Sequence, residues 1–159
     1  MQKITPCLWF DGQAEEAANF YISVFGNSRI LEITYWGKTG PGKEGAVLTV
    51  LFEIEGQRFL ALNGGPEFHF TPAISLSVDC KNQREVDAYW DKLSAGGKPV
   101  QCGWLTDKFG VSWQIVPDIL PRILADKDRA KSDRVLEVMM QMVKLNVAAL
   151  ERAAEGGAS

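Results

Sequence analysis

Two segments of the chain carry apolar side chains at helical spacing. In residues 11–26 they stand at i, i+3, i+4, i+7, i+8 and i+11, as Ala14, Ala17, Ala18, Tyr21, Ile22 and Phe25. In residues 82–97 they stand at i, i+3, i+4 and i+7, as Val86, Tyr89, Trp90 and Leu93. Asn82 is expected to cap the second helix, with Glu85 at the third helical position as in a capping box. Both segments end in glycine, so the pattern predicts two amphipathic helices.

Apolar runs of strand length surround these helices. The predicted strands cover residues 3–10, 28–36, 46–55, 57–63, 73–80, 98–107 and 111–116. The break at Gly56-Gln57 predicts a hairpin, and "GKTGPGKEG" predicts a loop because it is rich in glycine and proline.

The order of strand, helix and further strands occurs twice, and "EAANFY" in the first copy matches "EVDAYW" in the second. We therefore predict an α+β protein of two βαβββ modules, residues 1–65 and 73–120, joined by "GGPEFHFTP". Neither module is large enough to build a robust core alone, so we expect the two to form one domain. Residues 121–159 form a C-terminal helical extension.

The C-terminal extension carries a wide apolar stripe. Its members are Val135, Val138, Met139, Met142 and Val143, widened by Leu136 and Met140. Such a width predicts contact with more than the chain's own sheet, and a homodimer interface is the preferred interpretation. The alternative is a helix lying in a groove of its own chain. Asn146 is expected to cap a final helix over 147–155.

Composition and charge narrow the class of protein. The net charge is −3 without a basic block, which argues against nucleic acid as a partner. No apolar run approaches the ~20 residues of a membrane helix, and the N-terminus turns polar at Asp11, too early for a signal peptide. We expect a soluble cytoplasmic protein. Its cysteines, Cys7, Cys80 and Cys102, are odd in number and predict reduced thiols.

The modules, the hairpin "FEIEGQRFLALNGGP" and the segment "CGWLTDKFGVSWQIVP" resemble the PhnB-like branch of the vicinal oxygen chelate (glyoxalase/bleomycin-resistance/dioxygenase) superfamily. The resemblance covers residues 1–120, and "MMQMVKLNVAALERA" also resembles that branch. It implies a glyoxalase-like curled mixed sheet with a ligand on its concave face. Members of the branch often carry the label 3-demethylubiquinone-9 3-methyltransferase.

The resemblance also implies where a metal site would lie. Metal-using members of the superfamily hold a divalent ion with one ligand from each of four strands, so the residues at the matching positions can be compared with those ligands. The matching positions are Thr5 or Pro6, Thr49 or Val50, Ala73, and Gln114. None carries the histidine, cysteine or carboxylate that such an ion prefers. His69 lies in the predicted joint and is expected to be a loop residue. We therefore expect no metal and no other cofactor.

Strand alternation assigns small or polar side chains to one face of four strands. If the sheet curls as the resemblance implies, they line a small-molecule cavity; the candidate ligand-binding residues are Thr5, Cys7, Trp9, Thr49, Ser75, Ser77, Ser112 and Gln114. Alternatively, these residues are polar because that face meets water. Trp36 and Trp104 can border the cavity mouth or belong to the core.

Three functions remain open at this point. The first is metal-free binding of a small molecule, and the second is an enzyme with Glu53 as its acid or base. The third is a dimeric protein-interaction module that uses the methionine-rich C-terminal helix. Methyl transfer is not expected, because "WFDGQAEEA" lacks the repeated glycines of a nucleotide-binding turn.

Overall fold

The computed structural model describes residues 2–156 and divides into two compact units, 1–70 and 71–159. The predicted α+β class is confirmed. Each unit holds one four-stranded mixed sheet with one helix after its first strand, which is the βαβββ order predicted from the repeat.

The first unit contains five elements before residue 64: β1 (Cys7–Phe10), α1 (Ala14–Val24), β2 (Ser28–Tyr35), β3 (Val47–Ile54) and β4 (Gln57–Asn63). The strand order is β1-β4-β3-β2, with β1 parallel to β4 and the other pairs antiparallel. One face of the sheet packs on α1, because alternate residues of β3 and β4 are apolar and α1 presents its predicted stripe to them. That core includes Leu8, Phe10, Ala17, Tyr21, Val50, Phe52 and Phe59.

The second unit begins with β5 (Leu76–Cys80), α2 (Gln83–Ser94), β6 (Lys98–Pro99), β7 (Trp104–Thr106) and β8 (Ser112–Pro117), in the order β5-β8-β7-β6. The Asn82 side chain accepts a hydrogen bond from the Glu85 amide, as the sequence predicted. The Glu85 carboxylate accepts one from the amide of Lys81, one residue before the Asn82 amide that it binds in a standard capping box.

The strand predicted over 98–107 is broken into β6 and β7. Between them Cys102 and Gly103 have φ angles of 60° and 81°, a left-handed turn that a continuous strand cannot contain. The turn is held by the C-terminal segment, since the amides of Cys102 and Gly103 donate to the carbonyls of Met142 and Val143.

Three helices follow the second sheet: α3 (Ile119–Leu124), α4 (Arg129–Met139) and α5 (Val147–Ala154). Asn146 caps α5 as predicted, with its side chain accepting from the Ala149 amide. The prediction of one continuous apolar stripe was wrong beyond Met139, because α4 ends there and the chain turns.

After that turn Leu145 is 1% exposed and joins the C-terminal core, a cluster of Leu120, Ile123, Val135, Leu145, Leu150 and Ala153. Val138, Met139 and Met142 pack against the same cluster. Leu136, Met140 and Val143 stay exposed. In the described part of the chain, no helix has both the length and the apolar character to cross a membrane.

Candidate functional site

The candidate residues of the first unit lie on the sheet face opposite α1, except Thr5, which lies just before the first strand of that sheet. In β3, Thr49 and Glu53 alternate with the buried core residues, so they point away from the helix. The strand register places Leu62 of β4 opposite both Trp9 and Thr49, which forms a row across three strands. Thr5 precedes β1 and is half-buried. The Thr49 hydroxyl is hydrogen-bonded to the Thr34 hydroxyl on β2.

The Trp9 side chain makes both a hydrogen bond and a ring contact within its own unit. Its indole Nε1 donates to the Gly65 carbonyl at 2.8 Å, and its ring lies edge-on to Phe68 with 5.0 Å between ring centres. A Cβ atom at Gly64 would come within 2.4 Å of the indole, so glycine is required at that position for the chain to cross the ring. Trp9 therefore holds the segment after β4 against the sheet.

Glu53 stands between two arginines. Its Oε1 lies 3.6 Å from Arg29 Nε on β2, and its Oε2 lies 3.9 Å from Arg58 Nε on β4. The carboxylate side chain is 17% exposed, whereas the arginine side chains are 69% and 43% exposed. Both carboxylate oxygens thus have a cationic partner within the sheet.

Cys7 is an exposed thiol on β1. Desolvation by the surrounding protein raises the pKa of Cys7 above its ordinary value. A raised pKa lowers the thiolate fraction at neutral pH, and the thiolate is the nucleophilic form. The environment of Cys7 is therefore that of an unactivated cysteine.

The second unit brings three of its four candidates together around Gln114. The Gln114 amide Nε2 donates to the Ser75 hydroxyl at 2.9 Å. In the strand register Gln114 of β8 lies between Ser77 of β5 and Trp104 of β7, so these side chains share one face. The fourth candidate, Ser112, is only 3% exposed.

The side chains at the positions that the superfamily uses for a metal do not fit a divalent ion. Val50 is completely buried in the core of the first unit, and Ala73 has no donor atom. Gln114 offers a neutral amide that already contacts Ser75. Within residues 2–156, no three histidine, cysteine, aspartate or glutamate side chains lie together in a way that could hold a metal. His69 is an exposed loop residue.

Asp107 is a buried carboxylate that the sequence interpretation did not single out. It is 3% exposed, and its Oδ1 accepts from the amides of Phe109 and Val111 at 2.9 and 3.0 Å. Its Oδ2 accepts from the Trp113 indole at 2.9 Å. The sequence contained a signal for it, because an aspartate before a turn commonly binds backbone amides two residues ahead. Asp107 fixes the turn that leads into β8 and thereby positions Gln114.

The chain has clear relatives among solved structures. The PhnB protein from Bacillus cereus shares 42% identity at a TM-score of 0.67, with 73% of this chain and 99% of that chain covered. A protein from Pseudomonas aeruginosa shares 19% identity at a TM-score of 0.62, with coverage of 74% and 98%. The fosfomycin resistance protein FosX from Listeria monocytogenes, in its monoclinic form, shares 14% identity at a TM-score of 0.56, with coverage of 79% and 98%.

The two more distant similarities show the fold alone, a glyoxalase-like arrangement. No curated protein matches the chain. The family model for 3-demethylubiquinone-9 3-methyltransferase matches residues 2–116, which is most of the chain. The chain therefore belongs to the PhnB-like 3-demethylubiquinone-9 3-methyltransferase family.

Proposed function

We propose that this protein binds a small organic molecule without a metal, on the sheet face that carries Gln114. The hydrogen bond between Gln114 and Ser75 is the observation on which the proposal rests. An amide and a hydroxyl together supply both hydrogen-bond donors and acceptors, but they bring no charge to balance a dication. Trp104, on the same face, adds apolar surface beside these polar groups, a combination typical of ligand sites.

The first unit contributes a second set of candidates, Thr5, Cys7, Trp9 and Thr49, on its own sheet face. These residues are proposed as ligand contacts only in part, because the Trp9 indole N–H and the Thr49 hydroxyl already have protein partners. Methyl transfer is not part of the proposal. The turn between β1 and α1 holds one glycine, Gly12, and lacks the repeated glycines of a nucleotide-binding turn.

The experiment has two stages. Protein purified without chelator is first analysed for bound metals by mass spectrometry. We expect a ratio below about 0.1 divalent ions per chain, a threshold chosen to separate an occupied site from contamination. A thermal-shift screen against metabolites, with and without EDTA, then identifies ligands whose stabilisation is independent of chelator.

A glutamine pair tests the site itself. Gln114→Ala is expected to weaken the binding of a ligand found in the screen by about tenfold, since the amide's hydrogen bond to the ligand is lost. Gln101→Ala is the matched control, because Gln101 is exposed in the turn before β7. Equal effects of the two substitutions, or a stoichiometric divalent ion in the purified protein, would contradict the proposal.

Catalysis by Glu53 has less support. Arg29 and Arg58 engage both of its carboxylate oxygens, so a substrate group has to displace one arginine to reach it. If a reaction is found, Glu53→Gln separates the two roles: loss of turnover with unchanged ligand affinity indicates acid or base chemistry, and unchanged turnover indicates a structural ion pair.

We also propose that the protein forms a homodimer through Leu136, Met140 and Val143, here named the C-terminal patch. These side chains are 39%, 56% and 48% exposed. They are the part of the predicted apolar stripe that the chain's own core leaves uncovered. Exposed apolar side chains that the core leaves uncovered are candidates for burial in an interface.

A further inference from the structure

A cavity of about 500 Å³ lies within the first unit, where three loops meet. It is bordered by the turn between β1 and α1, by the loop between β2 and β3, and by the segment after β4. Its volume falls within the range of small-molecule sites. The candidate site around Gln114 belongs to the other unit, so this cavity is a separate feature.

The floor of the cavity is held in place by Asn63. Its side-chain oxygen accepts from the Ala14 amide at 2.9 Å, and its side-chain nitrogen donates to the Val47 carbonyl at 3.0 Å. The start of α1, the start of β3 and the end of β4 are thereby tied together. The Gly64 amide adds a hydrogen bond to the Phe10 carbonyl at 3.0 Å. A floor fixed before a ligand arrives reduces the ordering cost of binding.

One wall of the cavity is the indole of Trp36. The loop after it lies directly against the ring, since a Cβ atom on Gly40 or Gly42 would come within 2.6 or 2.2 Å of ring atoms. Trp36 is half-buried, and its indole N–H donates to no acceptor within residues 2–156. An aromatic wall of this kind attracts cations and the alkyl carbons next to them.

The lining charges are unbalanced. Asp11, Glu15 and Glu67 contribute three carboxylates, and Lys43 contributes the single ammonium group. Within the described range 2–156, none of the four forms an ion pair with another residue. Asp11 and Glu15 stand four residues apart around the start of α1, Glu67 follows β4, and all three are exposed. In the described part of the chain, no three such groups lie together in a way that could hold a metal ion. Several separate negative charges in one lining match a ligand that carries more than one positive charge.

We propose that this cavity binds an aliphatic amine with two or more ammonium groups, a diamine or polyamine. The ammonium groups pair with Asp11, Glu15 and Glu67, and the methylene chain packs along Trp36. A compact divalent metal ion cannot make these contacts at once. The inference goes beyond the proposed function and does not depend on it.

Isothermal titration of the protein, residues 1–159, with spermidine at low ionic strength tests the inference. Glu15→Gln is expected to weaken binding about fivefold, the effect of losing one solvent-exposed charge pair. Glu16→Gln is the matched control, because Glu16 is the next residue of α1, equally charged and exposed, but outside the cavity lining. Lys43→Gln is expected to strengthen binding, since it removes a like charge.

Three results overturn the inference: no spermidine binding by the wild type, equal weakening by Glu15→Gln and Glu16→Gln, or displacement of spermidine by an equal concentration of Mg²⁺. Thermal unfolding of each variant checks that it is folded. A negative outcome leaves the Gln114 proposal intact, because Gln114→Ala probes a residue of the other unit.

Discussion

Single polar side chains carry much of the information at the residue scale. Gln114 and Asp107 lie on either side of the turn into β8, and each is defined by its hydrogen-bond partners rather than by its position in an alternating pattern. Strand alternation predicted which way Gln114 points. It did not reveal that the Asp107 carboxylate accepts a hydrogen bond from the Trp113 indole. Alternation assigns Trp113 to the core, but it gives no information about which loop residue binds its N–H.

Asp107→Asn is expected to lower the free energy of unfolding by about 2 kcal/mol, because an amide nitrogen replaces one acceptor and an indole or backbone N–H loses its partner. Urea unfolding followed by tryptophan fluorescence measures this change. Asp91→Asn on the exposed side of α2 is the control and should leave the free energy of unfolding nearly unchanged. Similar values for the two variants would show that the Asp107 hydrogen bonds contribute little.

Gln114→Glu is expected not to create a metal site. The added carboxylate has no partner ligands, since Ala73 has no donor atom and Val50 is buried in the core of its unit. Titration of the variant with Mn²⁺ and Zn²⁺ should show no stoichiometric binding. A tight one-to-one complex would mean that other side chains act as ligands.

The Cys80 thiol makes the free energy of unfolding depend on pH in the alkaline range. Burial first, then the nearby charges of Glu85 and Asp79, raise the pKa of this thiol to about 12 from an ordinary value of 9.0. The unfolded chain therefore loses this proton at lower pH than the folded chain, and stability falls as pH rises from about 9 toward about 12. Unfolding free energies measured across that window should fall less steeply for Cys80→Ala than for the wild type. Parallel pH profiles would assign the slope to other groups.

At the scale of elements, one helix follows the first strand of each unit. Both helices were predicted from hydrophobic periodicity and capping alone. Their apolar stripes face a sheet within the same unit, and such local patterns predict a helix without knowledge of the surface on which it packs. The breaks after Pro99 and Met139 were not predicted. They occur where the amides of Cys102 and Gly103 bind the carbonyls of Met142 and Val143, a pairing between segments far apart in sequence.

Gln83 connects α2 to the start of α5. Its Oε1 accepts from the Val147 amide at 2.7 Å, and its Nε2 donates to the Leu145 carbonyl at 3.1 Å. Gln83→Ala is expected to destabilise the protein by about 1–2 kcal/mol and to speed amide hydrogen exchange at the start of α5. Arg84→Ala, an exposed neighbour on α2, is the control. Unchanged exchange in Gln83→Ala would show that the C-terminal core alone holds α5 in place.

At the scale of the whole molecule, oligomeric state depends on what covers the C-terminal patch. Met140→Glu is expected to convert a dimer of 17.6 kDa chains into monomers, because it places a charge in an apolar contact. Light scattering coupled to size-exclusion chromatography measures the mass. Asn19→Glu adds the same charge on an exposed position of α1 and should remain dimeric. A monomeric wild type, or a dimeric Met140→Glu, would rule out this interface.

The sequence by itself determined the α+β class, the repeated βαβββ order, the two sheet-packing helices and the caps at Asn82 and Asn146. The helices and caps depend on spacing within about 15 residues, where hydrophobic periodicity and local hydrogen bonds dominate, and the repeat follows from the order in which such elements recur. Only the tertiary structure decided that Trp9 binds Gly65, that Glu53 lies between two arginines, and that Trp36, Glu15 and Glu67 border one cavity. These contacts join side chains from different strands and loops, and their distances depend on strand register and loop path, which no local pattern encodes.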